Sequence, residues 1–436
     1  MTARTLADWL DYQQRIHPRA IELGLDRVRE VWQRLGAPRP APLVVTVGGT
    51  NGKGSTVAFL EAMLRAAGRR VGAYTSPHLR RYNERVRVCG AEVGDAALID
   101  AFTRIEAARG AVPLTYFEFG TLAALWIFAQ SGLDAAVLEV GLGGRLDAVN
   151  LIDADAAIVT TVDLDHQDWL GNDRDSIGRE KAGIFRPGRP AVIGTRTPPA
   201  GLIAEAERIG ARLLRAGRDF HITPMVDAWC WRCGAEALTL PEPMLAAPCQ
   251  IDNVAAAIAA WHALRERLGW EPRAFADGVR AARLPARLQR FVKPDAAELV
   301  IDVGHNPQAA AVLADWLQGQ SPRGRTYAVF GALADKDVGG IVAPLAAHVA
   351  RWYGGGLDAE TPRGLPAPEL RTRMLAAAPL AVESHEHIRA ALAAAAAAAG
   401  SADRILAFGS FFVASAALDW AEARAYRESP ERAGYN

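Results

Sequence analysis

Cysteine is scarce in this sequence, with 4 cysteines in 436 residues. So few cysteines exclude a disulfide framework in a chain of this length. Charge of one sign is not in excess either, because 49 lysines and arginines are balanced by 49 aspartates and glutamates. The sequence therefore lacks the basic or acidic surface typical of proteins that bind nucleic acid or anionic membranes, and we expect neither as a partner.

Long apolar runs are absent as well, since no stretch of about 18 apolar residues could form a membrane-spanning helix. The first residues carry Asp8, Asp11 and Arg15 among their apolar neighbours, unlike a secretory signal. We expect a cytoplasmic protein. Cys230 and Cys233 have the spacing of a metal-binding pair, but no second pair accompanies them. We favour a strand or hairpin there over a zinc site.

The remaining composition is that of a globular protein with two or three domains, with 50% hydrophobic and 22% charged residues. Residues 1–40 have the apolar spacing of a helical leader. Residues 219–245 read as short antiparallel strands, and a new α/β series begins near residue 286. We therefore expect a first domain over residues 1–285 and a smaller second domain over residues 286–436.

Continuous apolar segments alternate with helical ones in both halves, which is typical of an α/β fold with mostly parallel sheets. The predicted strands cover residues 43–47, 70–76, 134–140, 156–162 and 190–194, and then 299–303, 326–330, 350–353 and 405–408. The predicted helices cover residues 55–67, 121–130, 253–268 and 394–399.

The segment Gly48-Gly49-Thr50-Asn51-Gly52-Lys53-Gly54-Ser55-Thr56 follows the first of these strands and opens a helix. Glycines at such a turn let backbone N–H groups approach an anion, and the lysine and hydroxyls can reach phosphates and a magnesium ion. Val47 replaces the first glycine of the general P-loop pattern, and Gly54 separates Lys53 from the hydroxyls. A plain strand-to-helix connection is the alternative, but the lysine and paired hydroxyls favour a nucleoside triphosphate.

Polar residues lie at the ends of three other predicted strands, namely Ser76, Glu139 and His166. Strand ends of an open α/β sheet face the ligand crevice, and an unpaired carboxylate after an apolar run would be costly. Hydroxyl, carboxylate and imidazole groups can all bind a divalent cation, so this set predicts a magnesium site. For His166 alone, a hydrogen-bonded histidine at a strand end is the simpler interpretation.

Together with these residues, several further motifs resemble the folylpolyglutamate synthase family of the Mur ligase superfamily, and in particular its bifunctional bacterial members. The matching motifs are residues 49–55, 76–78, 115–118, 138–147, 165–166, 178–184 and 302–307. The resemblance extends from Leu23 to Phe411 and so covers nearly the whole chain. It implies an N-terminal P-loop ATPase domain and a C-terminal Rossmann-like domain, with ATP and the substrates between them.

The resemblance also implies roles for individual residues. ATP would be bound by Asn51, Gly52, Lys53, Gly54, Ser55, Asn253, Arg287 and Asp302. Ser76, Glu139 and His166 would hold magnesium, with two ions expected, and Lys181 would be carbamylated. Lys53, Lys181, Asp302 and His305 would take part in catalysis. Dihydropteroate would lie against Thr115, Tyr116, Phe117, Glu118, Leu146, Asp147 and Ala148, and Ser410 would contact the incoming glutamate.

Each of these residues also has an ordinary structural interpretation. Lys181 could form a surface salt bridge with Glu180, and Asn253 could cap a helix. Arg287 could be a surface charge, Asp302 and His305 a hydrogen-bonded pair, and the aromatic residues near Thr115 part of the core. The sequence departs from the family twice: Pro-Ala-Arg-Leu-Gln at residues 285–289 replaces the usual Pro-Gly-Arg-Phe-Gln, and Gly304 replaces a common alanine.

The resemblance implies ligation of L-glutamate to dihydropteroate and to reduced folates through an acyl phosphate, by a monomer. A folylpolyglutamate synthase without the dihydropteroate reaction is the first alternative. A Mur-type ligase is a second, although only about 40 residues precede the P-loop, too few for the sugar-nucleotide domain of that group. A nucleotide-driven switch would not need the second α/β domain.

Overall fold

The computed structural model describes residues 4–19, 21–320 and 324–429. The chain divides into two compact units, of which the first comprises Met1–Pro243 and Ile251–Ala282. The second comprises Met244–Gln250 and Arg283–Asn436. The sequence did not predict that residues 244–250 belong to the second unit. The expected domain boundary after residue 285 stays a prediction.

The first part of the chain contains eleven helices and eleven strands among the described residues. Its helices are α1 (Leu6–Arg15), α2 (Asp26–Arg34), α3 (Lys53–Ala66), α4 (Asp95–Arg109), α5 (Tyr116–Gln130), α6 (Gln167–Leu170), α7 (Arg174–Ala182), α8 (Ala200–Ile209), α9 (Gln250–Ala263), α10 (Arg265–Leu268) and α11 (Pro272–Ala281). Its strands are β1 (Leu43–Gly48), β2 (Val71–Tyr74), β3 (Val86–Val88), β4 (Ala91–Glu92), β5 (Ala135–Glu139), β6 (Ala156–Val159), β7 (Pro190–Ile193), β8 (Arg212–Arg215), β9 (Phe220–Met225), β10 (Ala228–Cys233) and β11 (Glu236–Pro241). Two 3-10 helices cover Tyr82–Arg85 and Ala148–Leu151.

The later part of the chain contains β12 (Gln289–Val292), β13 (Glu298–Ile301), α12 (Pro307–Gln318), β14 (Thr326–Phe330), α13 (Val338–Val342), β15 (Arg351–Gly355), α14 (Ala367–Ala377), β16 (Val382–His385), α15 (Ile388–Ala398), β17 (Arg404–Phe408), α16 (Phe411–Ala423) and β18 (Arg427–Glu428). A third 3-10 helix covers Ala343–Leu345.

The sheet of the first unit confirms the predicted α/β class. Its described strands have the order β4-β3-β2-β5-β1-β6-β7-β8, and β2, β5, β1, β6, β7 and β8 are parallel. All residues of β1 and β5 are buried. Helices cover both faces of such a sheet, so its central strands are apolar throughout rather than alternating. Val47 of β1 lies opposite Glu139 of β5.

Several predicted elements have different ends in the structure. The leader forms two helices rather than one continuous segment, and Pro18 and Gly24 lie between them. The helix expected from residue 121 begins at Tyr116, because the Thr115 hydroxyl accepts from the Glu118 N–H at 3.2 Å. The helix expected over 253–268 is divided at Leu264 into α9 and α10.

Cys230 and Cys233 lie in β10, the middle strand of a small antiparallel sheet formed with β9 and β11. This confirms the strand interpretation of residues 219–245. Both thiols are free cysteines, and among the described residues no group of three or more His, Cys, Asp and Glu side chains could hold a metal ion.

The sheet of the second unit has the order β16-β15-β14-β17-β13-β12-β18 among its described strands. Its strands β13 to β17 are parallel; at one edge β12 pairs antiparallel with β13, and β18 pairs antiparallel with β12. The alanine-rich segment near residue 394 lies in α15, as its composition predicts. No helix of the described chain is long and apolar enough to cross a membrane.

A buried ion triad joins three strands of the second unit. Arg290 of β12 and Arg404 of β17 both donate to the Glu298 carboxylate of β13, at 2.5 and 2.8 Å. The arginines lower the pKa of Glu298 against the opposing effect of burial. Removing one partner of such a group leaves buried charges without compensation.

We expect Glu298→Gln to lower the free energy of unfolding of the second unit by about 3 kcal/mol at pH 7, because two buried guanidinium groups lose their counter-ion. Since the folded-state pKa of Glu298 is lowered, the stability that it contributes is present above its unfolded pKa and is lost as the pH falls through the folded value. Urea unfolding at several pH values measures this. The exposed Glu360→Gln is the control and should match wild type; an equally stable E298Q protein would contradict the prediction.

Candidate active site

The glycine-rich loop between β1 and α3 has the backbone of a phosphate-binding turn. Gly49 and Gly52 have φ of +143° and +87°, a conformation that side chains with a Cβ rarely adopt. A Cβ on Gly52 would collide with the Asn253 side chain, and a Cβ on Gly49 would collide with Thr160. The two glycines are therefore required both by the turn and by the closeness of its neighbours.

Residues that follow β6 form hydrogen bonds with this loop. The Thr50 N–H donates to the Thr161 carbonyl at 2.8 Å, and the Asn51 N–H donates to the Thr161 hydroxyl at 3.0 Å. The Thr160 hydroxyl donates to the Asn51 carbonyl at 2.6 Å. Three backbone groups of Thr50 and Asn51 are thus bonded to the residues that follow β6.

Lys53 begins α3 and folds back over the loop. Its Nζ donates to the carbonyls of Gly49 and Thr50, both at 3.0 Å. Gly54 and Ser55 lie buried in the first turn of the same helix. The lysine charge and the N–H groups at the start of α3 therefore lie at the same place, which is favourable for an anion.

The predicted metal residues Ser76 and Glu139 are in contact. The Ser76 N–H donates to Glu139 Oε2 at 3.2 Å, and Glu139 is only 4% exposed at the end of β5. His166 follows β6 and precedes α6 with a φ of +52°, and its ring lies beside the Asp165 carboxylate at 3.9 Å. Because β2, β5, β1 and β6 are parallel neighbours, Glu139 at the end of β5 lies on the same edge of the sheet as Ser76, the P-loop and His166, which follow the other three strands.

The donor chemistry of this edge fits magnesium. Glu139 supplies a buried carboxylate oxygen and Ser76 a hydroxyl, which are the hard oxygen ligands that this ion prefers. Magnesium commonly completes its coordination with phosphate oxygens and water, so a full set of protein ligands is not required.

Lys181 of α7 is buried, with 3% of its surface exposed. Burial, together with the nearby charge of Lys53, lowers the pKa of Lys181 to about 7, while Asp165 and Asp147 act in the opposite direction. The suggested salt bridge with Glu180 is not formed; the Glu180 carboxylate accepts from Arg145 Nη2 at 2.8 Å. The surface interpretation of Lys181 is therefore wrong.

Asp147 is also buried near these charges. Its two oxygens accept from the N–H groups of Leu142 and Val149, at 2.8 and 2.9 Å. Burial raises the pKa of Asp147 to about 7, although these hydrogen bonds and Lys53 oppose the shift. Ala148 is buried beside it, and the carbonyl of Leu146 accepts from Gly24 N–H at 3.2 Å.

The segment predicted to bind dihydropteroate has a structural role of its own. The Glu118 carboxylate accepts from the Thr115 N–H at 2.7 Å and from Arg27 Nη2 at 2.9 Å. This ion pair with the leader was not foreseen from the sequence. Phe117 packs beside Tyr74 with ring centres 6.2 Å apart, and a Cβ on Gly141 would collide with the Phe117 ring.

Tyr116 lies on a different side of this helix start. Its ring centre is 5.8 Å from that of Tyr82, and the Arg85 guanidinium lies 5.5 Å from the Tyr116 ring. Tyr116 and Phe117 are both partly exposed, in contrast to the buried Thr115 and Glu118. The two aromatic residues are therefore accessible at the surface of the first unit.

The predicted residues of the second unit also gather at neighbouring strand ends. Asp302 follows β13, and its carboxylate accepts from the N–H groups of Leu288 and Gly304 at 2.8 and 2.6 Å. Burial raises the pKa of Asp302, whereas the nearby Arg287 lowers it. Ser410 follows β17, and its hydroxyl accepts from the Val413 N–H at 3.1 Å to cap α16.

Phe411 brings two further predicted residues together. The Arg287 guanidinium lies 5.6 Å from the Phe411 ring, and the His305 ring centre is 6.1 Å from it. His305 Nδ1 donates to the Val303 carbonyl at 2.9 Å, which fixes the ring. Asn253, by contrast, lies in α9 of the first unit, in contact with the P-loop at Gly52.

The departure from the family sequence near Arg287 has a structural consequence. Ala286 and Leu288 have φ of +54° and +49°, in the left-handed region that glycine adopts without strain. The glycine usual at position 286 in the family fits this conformation. Here an alanine occupies it, and the Asp302 bond to Leu288 N–H helps to hold the segment.

Comparison with protein families gives two matches. Residues 47–223 match the Mur ligase middle domain, and residues 286–411 match the Mur ligase glutamate ligase domain. Among curated proteins, the chain is 44% identical over 423 residues to the dihydrofolate synthase/folylpolyglutamate synthase of Escherichia coli, covering 97% of each. It is 33% identical to the folylpolyglutamate synthase of Lacticaseibacillus casei, covering 78% of this chain and 82% of that one.

Solved structures agree with these relatives. The E. coli FolC structure in complex with DHPP and ADP superposes with a TM-score of 0.90 at 44% identity, covering 97% of this chain and 99% of that one. A bifunctional folylpolyglutamate synthase/dihydrofolate synthase with Mn, AMPPNP and L-glutamate bound has a TM-score of 0.86 at 43% identity, covering 97% and 98%.

We expect Gly52→Ala to lower nucleotide affinity at least about tenfold, because the new Cβ displaces Asn253 and distorts the P-loop. Gly68→Ala is a matched control, since Gly68 also has a positive φ, of +74°, but faces open space. Gly68→Ala should lose about 1 kcal/mol of stability from backbone strain, and Gly52→Ala at least as much, because its Cβ also collides with Asn253. Titration with ADP should separate them; equal affinities would contradict the proposed role of the turn.

We expect Lys181→Met to be more stable than wild type at pH 7, by up to about 5 kcal/mol for a pKa lowered from 10.5 to about 7. Between about pH 7 and pH 10.5, the two pKa values of Lys181, unfolding of the wild type takes up a proton, so the stability of the wild type rises with pH. The stability difference between Lys181→Met and the wild type should therefore fall by about half at pH 9. Urea unfolding in CO2-depleted buffer measures it. The exposed Lys293→Met should change nothing, and a pH-independent difference would contradict a neutral buried amine.

Proposed function

Because the chain belongs to the dihydrofolate synthase/folylpolyglutamate synthase family, we propose that it ligates L-glutamate to dihydropteroate and to the glutamate tail of reduced folates, with ATP as the energy source. The observation that carries this proposal is the arrangement of four adjacent parallel strand ends. They bring the P-loop, Ser76 and Glu139 to one edge of the sheet, with the buried Lys181 electrostatically coupled to Lys53.

The chemistry requires activation of the acceptor carboxylate, because a carboxylate is a poor electrophile and oxide is a poor leaving group. A carboxylate oxygen attacks the γ-phosphorus of ATP, and ADP leaves. The amine of glutamate then attacks the carbonyl carbon of the acyl phosphate, the amine proton is released and phosphate leaves. Positioning and charge stabilisation supply most of the catalysis in such transfers.

Residues of the P-loop would act on the triphosphate. Lys53, together with the N–H groups of Gly52, Gly54 and Ser55, would bind phosphate oxygens, and Asn51 and Asn253 would border the nucleotide. Magnesium, held by Ser76, Glu139 and His166, would neutralise phosphate charge when bound. Lys53 Nζ would exchange its present bonds to loop carbonyls for bonds to phosphate oxygens.

Lys181 would carry a carbamate, formed when its amine nitrogen attacks CO2 and releases a proton. The reaction requires an unprotonated amine, and burial with a lowered pKa supplies one near neutral pH. The carbamate would add an anionic oxygen ligand on the metal side. A plain ammonium at that place would repel a cation.

Dihydropteroate would lie against the accessible rings of Tyr116 and Phe117, near Leu146, Asp147 and Ala148. The Asp147 carboxyl, whose pKa burial raises to about 7, could then share a proton with a pterin nitrogen. Thr115 and Glu118 would support this pocket through the helix cap and the Arg27 ion pair.

Residues of the second unit would serve the nucleotide and the incoming glutamate. We assign Arg287 and Asp302 to ATP, and His305 and Ser410 to glutamate. Phe411 supports this grouping through its contacts with Arg287 and His305. We further assign residues 1–285 to the ATPase domain and 286–436 to the glutamate ligase domain.

The dihydropteroate activity is supported by the greater identity to the bifunctional E. coli enzyme, 44%, than to the folylpolyglutamate synthase of L. casei, 33%. We also propose a cytoplasmic monomer that acts on small molecules only. The equal numbers of acidic and basic residues support the absence of a nucleic acid or membrane partner.

We expect glutamate-dependent release of ADP with dihydropteroate and, separately, with tetrahydrofolate as acceptor, because one pocket would hold the shared pterin ring. Coupled ADP detection and mass spectrometry of the products measure this. ATP turnover indifferent to both acceptors would remove the ligase function. Product from tetrahydrofolate alone would leave the chain-extending activity.

Glu139→Gln tests the assigned metal site. It should lower turnover with both acceptors at least about 100-fold, since it removes one ligand charge from a buried metal site. The exposed Glu207→Gln, on α8, should retain wild-type turnover. Wild-type turnover of E139Q would show that the carboxylate is not needed.

A further inference from the structure

Arg85 is a buried arginine of the first unit whose guanidinium has an unusual environment. It ends the 3-10 helix Tyr82–Arg85 and is only 8% exposed. Its Nε donates to Nδ1 of His78 at 2.8 Å. The Tyr82 and Tyr116 rings lie 5.2 and 5.5 Å from the guanidinium carbon. The charge is therefore surrounded by aromatic rings and an imidazole.

No carboxylate of the described residues forms an ion pair with Arg85. Other arginines of this protein differ: the half-buried Arg87 donates to the Glu61 carboxylate at 2.8 Å, and the buried Arg290 and Arg404 share Glu298. A buried guanidinium without a counter-ion is costly, and two aromatic faces compensate only part of that cost. The terminal nitrogens of Arg85 are thus suited to an oxygen that comes from outside the chain.

The neighbours of Arg85 indicate which ligand could supply that oxygen. His78, its hydrogen-bond partner, follows Ser76 by two residues and so belongs to the segment assigned to the metal. Tyr116, on the other side, belongs to the segment assigned to dihydropteroate. Arg85 therefore contacts both the segment assigned to the metal and the segment assigned to dihydropteroate. An acceptor that reaches from the second segment towards the first would bring its carboxylate close to this guanidinium.

We propose that Arg85 binds the aryl carboxylate of dihydropteroate through its two terminal nitrogens. This assignment rests on the proposed function and adds a residue that recognises the acceptor. A guanidinium can donate two parallel hydrogen bonds to a carboxylate. Tyr82 and Tyr116 flank the guanidinium with aromatic faces. In folates the same carbon is an amide carbonyl, so Arg85 would donate to a neutral oxygen instead.

The two acceptors should respond differently to loss of the guanidinium, because hydrogen bonds to charged groups are stronger than bonds to neutral ones. We expect Arg85→Gln to weaken dihydropteroate binding about 10- to 100-fold and tetrahydrofolate binding about 2- to 10-fold. Equilibrium binding without ATP, followed by ligand fluorescence, measures both on the full chain. Arg81→Gln is the matched control, since Arg81 is exposed and pairs with Asp95 at 3.5 Å.

A ligand variant tests the contact directly. Wild type and R81Q should prefer dihydropteroate over the analogue in which hydrogen replaces the carboxylate, and R85Q should bind the two within about twofold. Arg85→Lys keeps the charge without the planar fork and should retain part of the preference, provided that its unfolding midpoint shows a folded protein.

The outcomes separate this assignment from the proposed function. A wild-type protein that binds no dihydropteroate removes both. If wild type binds it but R85Q keeps the full preference for the carboxylate, the contact is absent. If R85Q loses affinity for the acid and the analogue equally, Arg85 only shapes the pocket and the assignment is wrong.

Discussion

The hydrogen bonds between the P-loop and the residues after β6 are the constraint on which the proposed nucleotide site depends. Thr160 and Thr161 bind the backbone of Asn51 from both sides, through one N–H and one carbonyl. This is possible only because β1 and β6 are parallel neighbours, so that their following residues meet. A glycine-rich segment without this support would have many conformations. The adjacent strand end selects the one in which α3 directs its first N–H groups outward.

Two buried ionisable groups, Asp147 and Lys181, lie near the same edge of the sheet, and burial favours the neutral form of each. Burial raises the pKa of Asp147 to about 7 and lowers the pKa of Lys181 to about 7. Both groups therefore change protonation near neutral pH in response to small changes of local charge. The phosphates of a nucleotide and a divalent cation are large changes of this kind. Bound ligand charges would therefore shift the protonation of Asp147 and Lys181.

Much of this arrangement could be predicted from the sequence, because continuous apolar segments identified the central strands and the strand ends placed Ser76 and Glu139 together. The ion pair between Arg27 and Glu118 could not, since it joins residues 91 positions apart. Arg85 was missed for a related reason: its environment consists of His78, Tyr82 and Tyr116, and only the fold brings the last of these to it. The left-handed φ at Ala286 was signalled only by a glycine usual in the family.

Several residues assigned to ligand binding also stabilise the fold. Substituting them therefore tests both the fold and the ligand contact. Asp302 accepts two backbone N–H groups, one of them from Leu288 in the left-handed region, and Ser410 caps α16. Glu118 closes the cap of α5. Loss of activity after replacing these residues would follow from local unfolding as readily as from loss of a ligand contact. Arg85 is different, because its terminal nitrogens bond no other residue of the described chain, so discrimination between ligands can report on its contact directly.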